Sequence, residues 1–139
     1  MVATKYLDVN IFVYWLGKHP KFGETAYKWI KKVENAFRRE YVTSSLTIYE
    51  TLIIVGGLTG RNLRDEKFVE EVITAITSLR GLVVEPLTGD DVIQALRLME
   101  KYGFDYEDSL HLAVAVRIGA KEIISNDEDF DKSPLRRIF

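Results

Sequence analysis

The chain has 139 residues, 47% of them hydrophobic and 29% charged, with a formal net charge of −2. That length and balance predict one soluble domain, residues 1–139, with its own core; no apolar run is long enough to span a membrane. The N-terminus lacks the basic-then-apolar pattern of a signal peptide, so a cytoplasmic protein is expected, and the lack of cysteine excludes a disulfide framework, a thiolate metal site and a cysteine nucleophile.

In chain order, Lys5–Val9 reads as a buried strand, followed by a short helix over Ile11–Leu16 that Gly17 and Pro20 stop. Gly23–Arg39 reads as a long helix, because Phe22, Ala26, Trp29, Ile30, Val33 and Phe37 fall close to a 3.6 spacing with basic residues opposite. Tyr41–Thr43 is a short strand, Ser45–Val55 a helix ended by Gly56-Gly57, and Asp65–Ser78 a further helix. Leu82–Glu85 is a strand closed by Pro86, Thr88–Tyr102 a helix stopped by Gly103, and Tyr106–Ile118 a helix stopped by Gly119. Glu122–Ser125 is a strand, Asn126–Asp131 an acidic loop, and Leu135–Phe139 a last edge strand. Strands alternating with helices predict an α/β fold: a central parallel sheet of four to five strands flanked by helices.

Lys18, Lys21, Lys28, Lys31, Lys32, Arg38 and Arg39 crowd the first third, whereas acids dominate from Asp65 to Asp131. A basic stretch of this kind can follow a phosphate backbone; the bland alternative is a solvated helix face.

Four carboxylates stand where strands hand over to helices or loops: Asp8, Glu50, Asp108 and Asp127. In a parallel sheet these positions converge on the carboxyl ends of the strands. Asp8 sits in the apolar run Tyr6–Val13, where an unpaired acid is costly; its competing role is a helix N-cap, which Asn10 fills better. Glu50 completes a Thr47-x-x-Glu50 capping box, unless Ser44 or Ser45 starts the helix and leaves Glu50 one turn further in. Asp105 is the natural N-cap of the helix at 106, with Asp108 either its capping partner or an inward-facing ligand, and Glu107 turned to solvent. Asp127, Asp129 and Asp131 resemble the start of a calcium loop, but the required Gly and Glu are missing. Asp127 is then the best ligand candidate of the three and Asp129 the second. His19 and His111 fit no zinc spacing, and His111, between Leu110 and Leu112, reads as a packed or partly exposed residue rather than a catalyst.

Two carboxylates about 5 Å apart repel by roughly 3 kcal/mol at an effective dielectric near 20. Four together take up protons or bind a cation, and an all-oxygen set selects Mg²⁺ or Mn²⁺ over Zn²⁺. Such an ion can activate water for in-line attack on a phosphodiester and neutralise charge on the phosphate.

With those residues in place, the chain resembles the PIN-domain family of metal-dependent ribonucleases, and most closely the VapC-like toxins of toxin–antitoxin pairs. The matching segments are Tyr6-Leu7-Asp8-Val9-Asn10, Ser44-Ser45-Leu46-Thr47-Ile48-Tyr49-Glu50, Asp105-Tyr106-Glu107-Asp108-Ser109-Leu110-His111-Leu112-Ala113-Val114-Ala115 and Ile123-Ile124-Ser125-Asn126-Asp127-Glu128-Asp129-Phe130. Each is short, but the four in order are fairly specific and span nearly the whole chain. The resemblance implies that Asp8, Glu50, Asp108 and Asp127 are the catalytic and metal-binding quartet, that Asn10 and Ser125 support it, and that Asp129 is an auxiliary acid. It further implies an RNA substrate, a Mg²⁺ or Mn²⁺ cofactor, a homodimer and a small antitoxin that blocks the site. The Ile53–Asn62 segment, with Gly56, Gly57 and Gly60, carries no motif that can be assigned.

Rival readings fit less well. A haloacid-dehalogenase-type phosphatase needs an acid where Asn10 stands. A receiver domain needs adjacent acids early in the chain and a phosphoacceptor Asp at a central strand end. A catalytically silent RNA- or protein-binding module would not need the intact quartet, and an RNA-processing nuclease without an antitoxin differs only in its partner.

Overall fold

Alternation along the central strand builds two cores. In Lys5–Leu7 (β1), Leu7 turns to one face of the sheet and Tyr6 to the other, and their neighbours Ile124 and Ile123 in Glu122–Ile124 (β4) do the same. This two-residue period is the signature of a strand buried on both faces. The computed structural model describes residues 3–139 and adds Tyr41–Ser44 (β2), Leu82–Glu85 (β3) and Arg136–Ile138 (β5) to the sheet. All pairings are parallel and the order is β3-β2-β1-β4-β5.

On one face lie Val9–Leu16 (α1), Gly23–Glu34 (α2), Ser45–Thr59 (α3) and Glu66–Thr77 (α4), packed through Ile11, Phe12, Ile30, Val33, Val55 and Ile76. Gly89–Tyr102 (α5) and Tyr106–Arg117 (α6) cover the other, with Leu112, Val114 and Ala115 of α6 meeting Tyr6, Ile123 and Phe130. Each such side chain, once fully buried, stabilises the fold by about 1.5–3 kcal/mol. Among the described residues, no helix is long and apolar enough to cross a membrane.

The expected fold class and strand count hold, and the departures are local. The first helix starts at Val9 rather than Ile11, because Asp8 caps it: its Oδ1 accepts from the Val9 N–H at 2.8 Å. α2 stops at Glu34 instead of Arg39. There the Asn35 side chain donates to the Lys31 carbonyl at 2.8 Å, and Arg39 adopts a left-handed φ of 74° that turns the chain into β2. α3 runs through Gly56-Gly57 to Thr59 and ends at Gly60, with φ 69°. Gly56 is needed for close approach, not for a turn: a Cβ there would sit 2.8 Å from the Arg61 carbonyl oxygen. The Arg61 N–H returns to the Gly56 carbonyl at 2.9 Å, so the chain folds back over the helix end. The acidic loop contains a short 3-10 helix, Glu128–Lys132.

Candidate active site

The strand order puts a topological switch between β1 and β4. The chain leaves β1 to form β2 on one side, whereas β4 arrives on the other, so the loops that follow β1 and β4 diverge and leave a crevice at their carboxyl ends. Asp8 follows β1, Ser125 and Asp127 follow β4, and Asp108 enters from the first turn of α6.

Asp8 is only 4% exposed and fully engaged. Besides the Val9 N–H, it accepts from Ser125 Oγ at 2.6 Å and Asn10 Nδ2 at 3.2 Å, both on Oδ2. Asn10 Nδ2 also reaches Ser125 Oγ at 3.2 Å, and Ser125 Oγ accepts from the Asp127 N–H at 3.0 Å. One hydroxyl thus ties the loop after β4 to the carboxylate after β1. Asn10 and Ser125, the residues expected to support the quartet, are the two side chains that hydrogen-bond the Asp8 carboxylate. Capping the helix and facing the crevice turn out to be one position for Asp8, not alternatives.

Asp108, Asp127 and Asp129 each present an oxygen within 4.8 Å of the others. Asp108 and Asp127 have no Lys or Arg partner among the described residues, and Asp129 meets only the exposed Lys132, 3.9 Å away. Burial, then the charges of Asp105, Asp127 and Asp8, push the Asp108 carboxyl up to about 7, against a smaller pull from His111. Burial likewise raises Asp8 above the ordinary carboxylate range, with Asp127 adding to it, against His111 and the hydrogen bonds from Ser125 and Val9. Asp108 does not close a capping box: its N–H donates to Asp105 Oδ1 at 2.8 Å, which leaves its own carboxylate free for the crevice.

Glu50 lies on a second arm of the site. Ser44, not Thr47, caps α3, so the alternative with Glu50 one turn further in is the one that forms. Its Oε1 pairs with His111 Nε2, and His111 Nδ1 meets Tyr6 Oη at 2.7 Å, with Tyr6 Oη donating to Ser44 Oγ at 3.1 Å. Burial pushes Glu50 up, but the hydrogen bonds from His111 and Glu107 outweigh it and hold the carboxyl below its usual range. Burial pulls His111 down, yet the Tyr6 oxygen, Glu50 and Asp8 together raise it well above the ordinary imidazole value. His111 also acts on Asp8 and Asp108, and so stands between the two arms as their shared cation.

A family model of the PIN domain matches residues 5–134. The chain belongs to the PIN domain family. Comparison with curated proteins gives no match. Among solved structures, the PIN chain is similar to the VapC20 toxin of Mycobacterium tuberculosis, which cleaves the sarcin–ricin loop. That similarity has a TM-score of 0.73 at 16% identity and covers 95% of this chain and 96% of the other. It is similar to VapBC2 of Rickettsia felis bound to a promoter DNA fragment, with a TM-score of 0.66, 18% identity and 97% of each chain covered. It is also similar to a toxin–antitoxin complex from Klebsiella pneumoniae, with a TM-score of 0.65, 16% identity, and 98% and 97% covered. At these identities the likeness is one of fold.

The sequence reading passed over two residues of this PIN site. Glu107 is exposed, as expected, yet the neighbouring Glu50 carboxylate, with burial adding to it, pushes its carboxyl up to about 7. His111 is packed as expected, 1% exposed, but it is partnered on both ring nitrogens. The available signal was spacing: residues 107 and 111 are four apart on α6 and share a face, so an acid on a neighbouring helix can meet both.

Proposed function

We propose that this chain is a divalent-metal-dependent endoribonuclease and the toxin of a toxin–antitoxin pair. The observation that carries the reading is the carboxylate trio Asp108, Asp127 and Asp129 at the β1/β4 switch point of a PIN fold, with buried Asp8 beside it. The donor set fits a hard cation: all oxygen, several negative charges, and no partnering Lys or Arg on Asp108 or Asp127 among the described residues. Asp8, Asp108 and Asp127 would hold Mg²⁺ or Mn²⁺, with Asp129 auxiliary. Bound there, the ion supplies charge neutralisation at the phosphate and a water of lowered pKa.

The protein's own residues do the rest. Ser125 and Asn10 fix the Asp8 carboxylate in one orientation. Glu50, kept ionised by His111, holds or aligns the attacking water. The Glu107 carboxyl, pushed up to about 7 against Glu50, stands ready to take or give a proton beside it. RNA is the substrate, and the neighbours solved as VapBC2 and as a toxin–antitoxin complex favour an antitoxin as the controlling partner. Exposed apolar side chains such as Ile53 and Leu58 on α3 and Ile93 and Leu96 on α5 suit a homodimer of a cytoplasmic protein.

The test is cleavage of a mixed, structured RNA in Mn²⁺, Mg²⁺ or EDTA, with Asp8→Asn and Asp108→Asn prepared in parallel. Metal-dependent cutting lost in both variants supports the nuclease. A folded wild type that neither cuts RNA nor binds Mn²⁺ by calorimetry overturns it in favour of a silent binding module.

A further inference from the structure

Beyond the acidic crevice, a second feature lies open to solvent beside α1 and α2. A cavity of about 370 Å³ is lined by Trp15, Lys18, His19, Gly23, Glu24 and Tyr27. This volume is at the lower end of the range for small-ligand sites. We propose that this cavity takes an unpaired base of a single-stranded RNA, with the surrounding lysines meeting the flanking phosphates; this rests on the nuclease reading and places part of its substrate.

Three observations converge on that occupant. The first is position. Asn126, the residue before Asp127, donates through Nδ2 to Tyr14 Oη at 3.1 Å; the Tyr14 ring meets His19 edge-on at 4.9 Å, and His19 is a wall of the cavity. The loop that carries Asp127 is thus linked to the cavity wall through the Asn126, Tyr14 and His19 side chains.

The second is chemistry. Aromatic walls with free amines beside them are how proteins bind single strands without reading sequence: bases stack on the rings and phosphates meet the lysines. Tyr27 is 48% exposed, with Lys31 over one face of its ring and the other face available to a stacking partner. Lys18, Lys21 and Lys32 form no ion pair among the described residues, with Lys32 over the Trp29 ring at 4.2 Å, whereas Lys31, over the Tyr27 ring at 5.7 Å, is shared with Glu34 at 3.8 Å. The cavity of similar volume beside α5 offers no such cation, because its Arg117 is bound to Asp91 and to the Pro86 carbonyl. Glu24, at the rim, can accept from an exocyclic amino group.

The third is rigidity. The turn that carries Lys18 and His19 is fixed: His19 Nδ1 accepts from the N–H groups of Lys21 and Phe22 at 3.1 and 3.0 Å, and the His19 N–H donates to the Tyr14 carbonyl at 2.9 Å. Lys18 itself is held at a φ of 53°, where a side chain is disfavoured. A glycine would be the relaxed choice there, so replacing Lys18 by Gly removes the amine without straining the turn.

The experiment measures binding of a fluorescent single-stranded RNA and its duplex in EDTA, where no cutting occurs. It uses the full chain, Tyr27→Ala, Tyr27→Phe and Lys18→Gly. A lost base stack lowers affinity about 5- to 150-fold, so Tyr27→Ala should fall in that range while Tyr27→Phe keeps wild-type affinity. Lys18→Gly should weaken binding and reduce its salt dependence while its Tm holds or rises, which separates a lost contact from a lost fold. In Trp29→Phe protein, which leaves Trp15 as the one tryptophan, single-stranded RNA should quench fluorescence more than duplex does. Unchanged affinity in Tyr27→Ala overturns the proposal and leaves the cavity to a side chain of a protein partner. So does a folded wild type that binds no single-stranded RNA. If metal-dependent cutting persists in either case, the nuclease reading survives without this subsite; if cutting also fails, both fall.

Discussion

Asp108→Asn should make the metal-free protein more stable, and only above mildly acidic pH. In the fold, the Asp108 carboxyl is pushed from 3.8 up to about 7 by burial and by Asp105, Asp127 and Asp8. A raised carboxyl binds protons in the native state that the unfolded chain has released, so stability falls as pH rises from about 4 to about 7 and then levels off. Three units at 1.36 kcal/mol each amount to about 4 kcal/mol. Because Asp108 is partly exposed, solvent screening reduces this to about 1–2 kcal/mol. Asparagine keeps the shape and removes the charge, so the variant escapes the fall. Urea or thermal unfolding in EDTA at pH 4.5 and pH 8 should show little difference at the lower pH. At pH 8 the variant should gain about 3–6 °C. Saturating Mn²⁺ should reverse the order, because the ion stabilises only the chain that binds it. A metal-free Asp108→Asn protein destabilised by 1 kcal/mol or more at pH 8 would refute this reasoning and return Asp108 to a structural role at the start of α6.

Three further outcomes can be measured. Mn²⁺ at 100 times its Kd should raise wild-type stability by about 2.7 kcal/mol, and Asp127→Asn should forfeit most of that rise; an equal rise in both would remove Asp127 from the ligand set. His111→Gln should cost about 3 kcal/mol, because it leaves Glu50 without its buried partner. Since His111 is raised above its ordinary value, the loss should be largest below pH 6.5 and shrink as pH climbs through the folded value, which unfolding at pH 6 and pH 9 would check. Gly57→Ala, with nothing within 4 Å of the new Cβ, should stabilise α3 by about 0.5–1 kcal/mol. Gly56→Ala should destabilise by about 1–3 kcal/mol through the Arg61 carbonyl 2.8 Å away; similar Tm shifts for the two would show that the chain does not fold back over this helix end.

Much of this molecule is legible in the sequence because its signals are periodic and local. The alternation of Tyr6 with Leu7 and Ile123 with Ile124 reveals a sheet buried on both faces, and caps such as Asp65, Thr88 and Asp105 mark helix starts in the positions they occupy. Termini were misplaced where a non-local contact overrides a local preference. Gly56-Gly57 reads as a stop, but the contact with Arg61 makes Gly56 a packing position inside a longer helix. Asn10 is the better local candidate for the cap, but the strand ends at Leu7, two residues before the Val9 that the apolar run suggests, and Asp8 takes the cap.

The electrostatic partners were harder to foresee than the acids, for a physical reason. An acid in an apolar run announces a cost, and position at a strand end says where the cost is incurred. What offsets it is set by tertiary proximity: His111 and Glu50 are 61 residues apart, and Tyr6 and His111 are 105 apart. The arrangement has a consequence for the two arms. On one, three aspartates crowd, Asp108 and Asp127 without a Lys or Arg partner among the described residues, and Asp108 stays protonated to near neutral pH. On the other, His111 supplies the positive charge and Glu50 stays ionised. An added divalent ion therefore gains most from the aspartate arm, where it relieves repulsion, and least from Glu50, whose charge is already matched. Ligation by Asp8, Asp108 and Asp127, with Glu50 reserved for the water, is the division of labour that this balance favours.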